Sequence, residues 1–217
     1  KIFRRKKLSD FISWKYTLMI KGILLAAGQS RRLKNENKLI KIFKDKPLIH
    51  HALNSAKNSK IKKIIIVLGY QFKEVKKKIK KNKKIIFVHN KNYKNGMSSS
   101  IKSGLKKISK KDKGFIILQS DMPFVKTSDI NKIYNSIIRK KYLVHALKYK
   151  NRIGNPIGFD ISILNKFKKI RGNVGAKYMV KRLNHSTNFI KVSSSKVFKD
   201  FDKASDFRAW LIKINSK

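Results

Sequence analysis

Three groups of residues have types and spacings that could do chemistry. The first is Leu25-Ala26-Ala27-Gly28-Gln29-Ser30-Arg31-Arg32, followed by Lys38. Small residues let a backbone approach a phosphate chain, and its N–H groups can point at the oxygens. Arg32 and Lys38 can neutralise the same charge. The spacing is neither a P-loop nor a GxGxxG fingerprint, and a plain strand–helix turn with two surface cations fits these residues equally well. The second group is Gly96-Met97-Ser98-Ser99-Ser100, running on to Gly104. Gly96 permits a close backbone approach, and a helix starting there would offer free N–H groups and hydroxyls, with the serines as alternative caps. The third group is acidic. Asp and Glu together number only 11, so each acid at a strand end carries information. Asp121 follows the apolar run Phe115–Leu118, where a carboxylate is costly unless solvated or paired with a cation. Asp200, Asp202 and Asp206 form a second acidic group near the C-terminal end. His50 and His51 invite a catalytic reading, but a pair with one ring packed and one solvated is the simpler account.

These residues need elements to hold them. Ile20–Ala26, Ile64–Leu68, Ile85–Val88 and Phe115–Leu118 are short apolar runs, as expected of buried strands. Pro47 suits the first turn of a helix through about Lys57. Helices are also expected over Phe72–Ile79, Met97–Ile108, Ile163–Ile170, Val174–Leu183 and Ser205–Ile214, and one through Ile138 capped by Ser128 or Asp129. Tyr142–Leu147 and Pro156–Phe159 read as further strands. The alternation predicts an α/β fold with a mostly parallel sheet, and such sheets bind ligands beyond the carboxyl ends of their strands. Residues 19–217 are read as a single domain. Residues 1–18 are read as a basic N-terminal extension, because Met19 looks like a natural chain start.

Composition narrows the function classes. Cysteine is absent, which excludes disulfides, thiolate metal sites and a cysteine nucleophile, and fits a cytoplasmic location. No apolar run reaches the roughly 18–20 residues that span a bilayer. The chain has 217 residues and 41% hydrophobic content, enough for a substantial core. Its 56 basic residues give a net charge of +45, which would attract any polyanion. The excess is spread along the whole chain and is mostly lysine. That is the pattern of a bias acting on solvated positions rather than of a nucleic-acid-binding tail or stripe, so no specific nucleic acid and no membrane are expected as partners.

The first segment resembles the LAAGxSxRMG…K signature of nucleotidyltransferases. The likeness to the molybdenum-cofactor cytidylyltransferase group runs from about Ile20 to Trp210. It continues through Lys46-Pro47-Leu48-Ile49-His50-His51, through Val67-Leu68-Gly69-Tyr70-Gln71, and through Asn90 to Gly104 as an NxxxxxGMSSSxxxG block. Beyond these come Asp121-Met122-Pro123, Asn155-Pro156-Ile157-Gly158-Phe159, Arg171-Gly172-Asn173-Val174-Gly175-Ala176-Lys177 and Asp200-Phe201-Asp202. The resemblance implies a three-layer α/β/α Rossmann-like nucleotidyltransferase fold with a mostly parallel, mixed-edge central sheet. It implies Mg²⁺-dependent transfer of a nucleotidyl group from an NTP, CTP by the Ala26-Ala27-Gly28 form, to the phosphate of molybdopterin, with release of pyrophosphate.

By the same resemblance, Arg32, Lys38 and Asp121 are the catalytic residues. Nucleotide binding falls to Leu25, Ala26, Ala27, Gly28, Ser30, Arg32, Lys38, Gly69, Asn95, Gly96, Ser98, Ser99, Ser100 and Gly104. Asp121, with Asp200 or Asp202, is expected to hold the Mg²⁺, and Asp206 to cap or salt-bridge the last helix. Asn155, Pro156, Asn173 and Gly175 are expected at the acceptor. A molybdenum hydroxylase apoenzyme is the implied protein partner. Lys34 stands where the family has glycine and Asn173 where it has aspartate, so the first turn and the acceptor loop are expected to differ. Three alternatives remain at this point: a guanylyl or sugar-phosphate nucleotidyltransferase of the same fold, a polyanion-binding protein, and a cofactor-carrying partner of molybdenum hydroxylases.

Overall fold

The computed structural model describes residues 19–33 and 36–215, so the expectations for residues 1–18 and for Lys34 lie outside the described residues. In chain order the strands are β1 (Ile20–Ala26), β2 (Ile42–Phe43), β3 (Lys46–Pro47), β4 (Ile64–Leu68), β5 (Ile85–His89), β6 (Gly114–Gln119), β7 (Val144–Tyr149), β8 (Arg152–Asp160) and β9 (Thr187–Lys191). The helices are α1 (Leu48–Lys57), α2 (Phe72–Lys77), α3 (Met97–Leu105), α4 (Thr127–Ile138), α5 (Lys177–Arg182) and α6 (Ala204–Asn215).

Seven strands form one sheet in the order β5-β4-β1-β6-β8-β7-β9, and β2 pairs with β3 in a separate ribbon. The strands β5, β4, β1 and β6 run parallel, while β8 is antiparallel to both β6 and β7, and β9 is parallel to β7. The central strands are buried on both faces, which is why they read as continuous apolar runs. Alternate residues feed opposite layers. Ile64, Ile66 and Leu68 join one core with Leu48, Ile133 and Phe201, whereas Ile65 and Val67 join the other with Ile101, Phe167 and Met179. Each such buried side chain contributes about 1.5–3 kcal/mol.

The expected three-layer mixed sheet is present, with local differences. The segment Ile161–Lys169 is a run of 3₁₀ turns rather than an α-helix. Pro47 precedes α1 rather than occupying its first turn. The carboxylate of Asp129 accepts the Lys126 N–H at 3.0 Å, and α4 starts at Thr127 with Lys126 in the N-cap position, ahead of both expected caps. Gly96 is the N-cap of α3, and no serine side chain caps this helix. Instead the Ser98 N–H donates to the Gly172 carbonyl at 3.1 Å, and the Ser99 hydroxyl bonds back to the Asn92 and Gly96 carbonyls. Among the described residues, no helix is long and apolar enough to cross a membrane.

Candidate active site

A cavity of about 750 Å³ opens beyond the carboxyl ends of β1 and β6. One wall is the end of β1 and the turn after it, with Leu25, Ala27, Gly28, Ser30 and Arg32. The chain then returns to present Lys38. Its backbone N–H donates to the Ser30 hydroxyl at 3.1 Å. The preceding Asn37 is buried, donates to the Tyr70 carbonyl at 3.3 Å and accepts the Leu39 N–H at 3.0 Å. Asn37 therefore ties this loop to the end of β4, and nothing in its sequence context marked it.

The opposite wall comes from the end of β6. The Ser120 hydroxyl donates to the Leu25 carbonyl at 2.6 Å, which holds this strand end against the glycine turn. Asp121 follows. Its Oδ2 accepts from the Lys38 ammonium at 2.6 Å, and the same ammonium donates to Asp202 Oδ1. Arg32 reaches the other Asp202 oxygen at 3.0 Å. The side chains of Lys38 and Asp121 are 11% and 17% exposed, against 38% for Asp202 and 64% for Arg32. The Lys38–Asp121 pair is thus shielded, whereas Arg32 meets solvent and contributes little to stability.

Burial raises the Asp121 carboxyl above its ordinary value; Lys38 opposes this, while Asp202 and Asp200 add to it. Burial pulls Lys38 down, but the Asp121 and Asp202 carboxylates together outweigh it and raise the ammonium. Burial with the neighbouring acids sets the first direction, and the two carboxylates around one ammonium set the second. Asp121 is therefore packed against a cation, yet it and Lys38 both line the cavity, so there is room for a ligand beside them.

Asp200 and Asp202 arrive by a simple device. They flank a side chain that the core claims. Phe201 is fully buried, against Phe43, Phe124 and Phe207, and the acids flanking it both line the cavity. Asp206 accepts the backbone N–H groups of Asp202 and Lys203 at 2.9 and 2.8 Å, so it holds the turn that leads into α6.

The donor set suits a hard divalent cation. Asp121 Oδ1 is buried with no hydrogen-bond partner among the described residues, and the Lys38 ammonium already stands as a cation between two carboxylates. No group of three or more acidic or histidine side chains among the described residues is arranged to cage a metal by itself. A divalent cation at Asp121 would be held by one or two carboxylates, with water and phosphate oxygens completing its shell.

The remaining expected residues divide. Gly96, Ser100, Asn155, Asn173 and Gly175 line the cavity. Ala26, Gly69, Asn95, Ser98, Ser99, Gly104 and Pro156 are not among its lining residues. A Cβ on Gly69 would lie 2.6 Å from Tyr93 Cβ, and one on Gly104 would lie 2.6 Å from Ile23 Cγ2, so both glycines serve close packing. Pro156 follows a cis peptide bond with Asn155. His50 and His51 bond through Nε2 to the Lys78 and Phe43 carbonyls and do not line the cavity. Sequence reasoning passed over Tyr93, Lys94, Gln119 and Lys177, which line the cavity too. Each lies inside or beside a motif already singled out, which was the available signal.

A family model described as the MobA-like NTP transferase domain matches residues 22–187. The Bifunctional protein GlmU of Buchnera aphidicola subsp. Schizaphis graminum is 31% identical over 199 residues, covering 91% of this chain and 40% of that protein. The 2-C-methyl-D-erythritol 4-phosphate cytidylyltransferase of Lachnoclostridium phytofermentans is 29% identical over 140 residues, covering 62% of this chain and 58% of that one. The chain thus spans well under two thirds of these curated relatives, down to 31% for the GlmU of Clostridioides difficile. Among solved structures, Rv0371c of Mycobacterium tuberculosis superposes with a TM-score of 0.80 at 21% identity, covering 90% of this chain and 99% of that one. Its complex with manganese gives 0.74 at 18% identity, with 90% and 99% covered. The molybdopterin-guanine dinucleotide biosynthesis protein A of Archaeoglobus fulgidus gives 0.68 at 15% identity, with 91% and 100% covered.

Proposed function

The chain belongs to the MobA-like NTP transferase domain family, and from that premise we propose that it transfers CMP from CTP to the phosphate of molybdopterin, with release of pyrophosphate. The observation that carries the reading is the convergence of the Gly28 turn, Lys38 and Asp121 on one cavity.

In this reading the N–H groups of the turn after β1 bind the triphosphate, with Arg32 and Lys38 neutralising it. Asp121, assisted by Asp200 or Asp202, is the group that would hold a divalent cation. Bound there, Mg²⁺ would supply charge neutralisation at the phosphates as negative charge shifts towards the leaving group. The acceptor phosphate oxygen forms the new bond to the α-phosphorus. The bond from that phosphorus to the α–β bridging oxygen breaks, and pyrophosphate departs with its electron pair. No enzyme nucleophile is needed, and the rate comes from positioning and charge stabilisation. Asn155, Asn173 and Gly175 form the wall assigned to the acceptor.

The test is pyrophosphate release with each NTP in turn, in the presence of Mg²⁺ and molybdopterin. Turnover with CTP is expected. Turnover only with GTP would move the donor towards the chemistry named for the Archaeoglobus fulgidus neighbour. Turnover with CTP and a small polyol phosphate, but not with molybdopterin, would move the acceptor towards that named for the Lachnoclostridium phytofermentans relative. No turnover with any pair would end the reading.

A further inference from the structure

The geometry points to Lys38 as the resident cation of the carboxylate site in the nucleotide-free protein, one that a divalent metal must displace before it can bind. The inference rests on the metal-binding reading of Asp121 and adds an order of events to it.

Three observations carry it. First, the Lys38 ammonium bonds to Asp121 Oδ2 at 2.6 Å and to Asp202 Oδ1 at once, so it occupies the space between two of the three acids that line the cavity. A cation there removes the repulsion between those carboxylates, and a metal held by the same oxygens would do the same. Both cannot sit between them together. Second, the Lys38 backbone is fixed. Its N–H is held by Ser30, and its neighbours Asn37 and Leu39 are buried. Displacement must therefore come from the side chain, whose four-carbon stem is flexible enough to swing the charge away. Third, the glycine turn that suits phosphate oxygens borders the same cavity, so a bound triphosphate offers the ammonium a new anion within it. Asp121 Oδ1 remains without a partner among the described residues while Lys38 is in place.

The consequence is that free protein binds a divalent cation weakly, and metal enters together with the nucleotide whose phosphates draw Lys38 off. If the site is open in about 1–10% of molecules, its apparent metal affinity falls about 10–100-fold below the intrinsic value.

The experiment is Mn²⁺ titration of nucleotide-free protein, following the electron paramagnetic resonance of the free ion. Wild type, Lys38→Gln, Asp121→Asn and the double variant are compared at one pH and ionic strength. Thermal unfolding confirms that each variant is folded, and Lys38→Met carries the same test should Lys38→Gln fail to fold. The expected result is Mn²⁺ binding about 10–100-fold tighter in Lys38→Gln than in wild type, with the gain lost in the double variant. If Lys38→Gln binds no tighter than wild type while Asp121→Asn abolishes binding, the displacement is wrong and the metal reading stands. If the double variant binds as tightly as Lys38→Gln, the ion is not at Asp121 and both readings fail.

Discussion

The backbone N–H of Phe201 donates to the carbonyl oxygen of Asp121 at 3.0 Å. This bond joins the end of β6 to the segment that carries Asp200 and Asp202. The acids of the site are thus set by backbone pairing and by one buried ring, rather than by contacts among themselves alone. Phe201→Ala should cost about 3–5 kcal/mol, through loss of a fully buried aromatic side chain. Phe201→Leu should cost less than about 1.5 kcal/mol. With the flanking acids less firmly held, it should nonetheless lower kcat by about tenfold or more, because misplacement of reacting groups is expensive. Chemical denaturation beside steady-state kinetics checks this, and a Leu variant with unchanged kcat would remove the positioning role.

Asp121→Asn keeps the shape of the side chain and removes its charge. Lys38 retains Asp202 as a partner, so the fold should survive. Mg²⁺-dependent pyrophosphate release should fall by on the order of 10²–10³. Salt-dependent binding of duplex DNA, driven by the net charge of +45, should be unchanged or slightly stronger. A variant that retained activity within a few-fold would show that this carboxylate is not part of the reaction.

Gly104 separates packing from binding. A Cβ there would lie 2.6 Å from Ile23 Cγ2 and 3.0 Å from Val67 Cγ2, between α3 and the sheet. Gly104→Ala should lower stability by about 1–3 kcal/mol through overpacking. Its KM for nucleotide should stay near the wild-type value, because the residue does not line the cavity. Thermal unfolding and KM measured on the same preparations provide the check.

His145 gives stability a pH dependence unconnected with the site. It is fully buried on β7 and bonded through Nδ1 to the Ser136 hydroxyl at 2.7 Å. Burial pulls its pKa from 6.5 down to about 4, only partly offset by the Tyr142 backbone and by the charge of Asp160. The neutral ring is therefore favoured in the folded state. Its contribution is complete above 6.5 and is lost as pH falls from there towards about 4. The loss should amount to about 2–3 kcal/mol. His145→Asn cannot titrate in this range, so its stability should fall less than that of wild type over the same interval in urea denaturation. Parallel curves would refute the assignment.

The legible parts of this molecule were those with a strong local pattern. β1 and β4 read directly as Ile20–Ala26 and Ile64–Leu68, because both of their faces are covered. The β9 strand Thr187–Lys191 was missed, since a half-exposed edge needs neither continuous apolar character nor clean alternation. The reversed direction of β8 is set by its partners, and no residue of Arg152–Asp160 announces it. Lys38, Asp121 and Asp202 were each singled out, and the cost of an unpaired acid after β6 was evident. The ion pair itself was not, because the partners lie on different elements and only the folded sheet brings them together. Phe201 was hidden for the opposite reason. Among charged neighbours it looked like part of an acidic motif, while its own role is to fill the core.

The reversed β8 strand also divides the cavity by the connectivity of its walls. Gly154 and Asn155 reach it on a hairpin whose turn lies at residues 150–151, whereas Gly28 and Asp121 follow the ends of the parallel β1–β6 ladder. Residues inserted at that turn would leave the β1–β6 ladder intact. The hairpin wall of the cavity can therefore change in length and shape without disturbing the strand ends that carry Gly28 and Asp121.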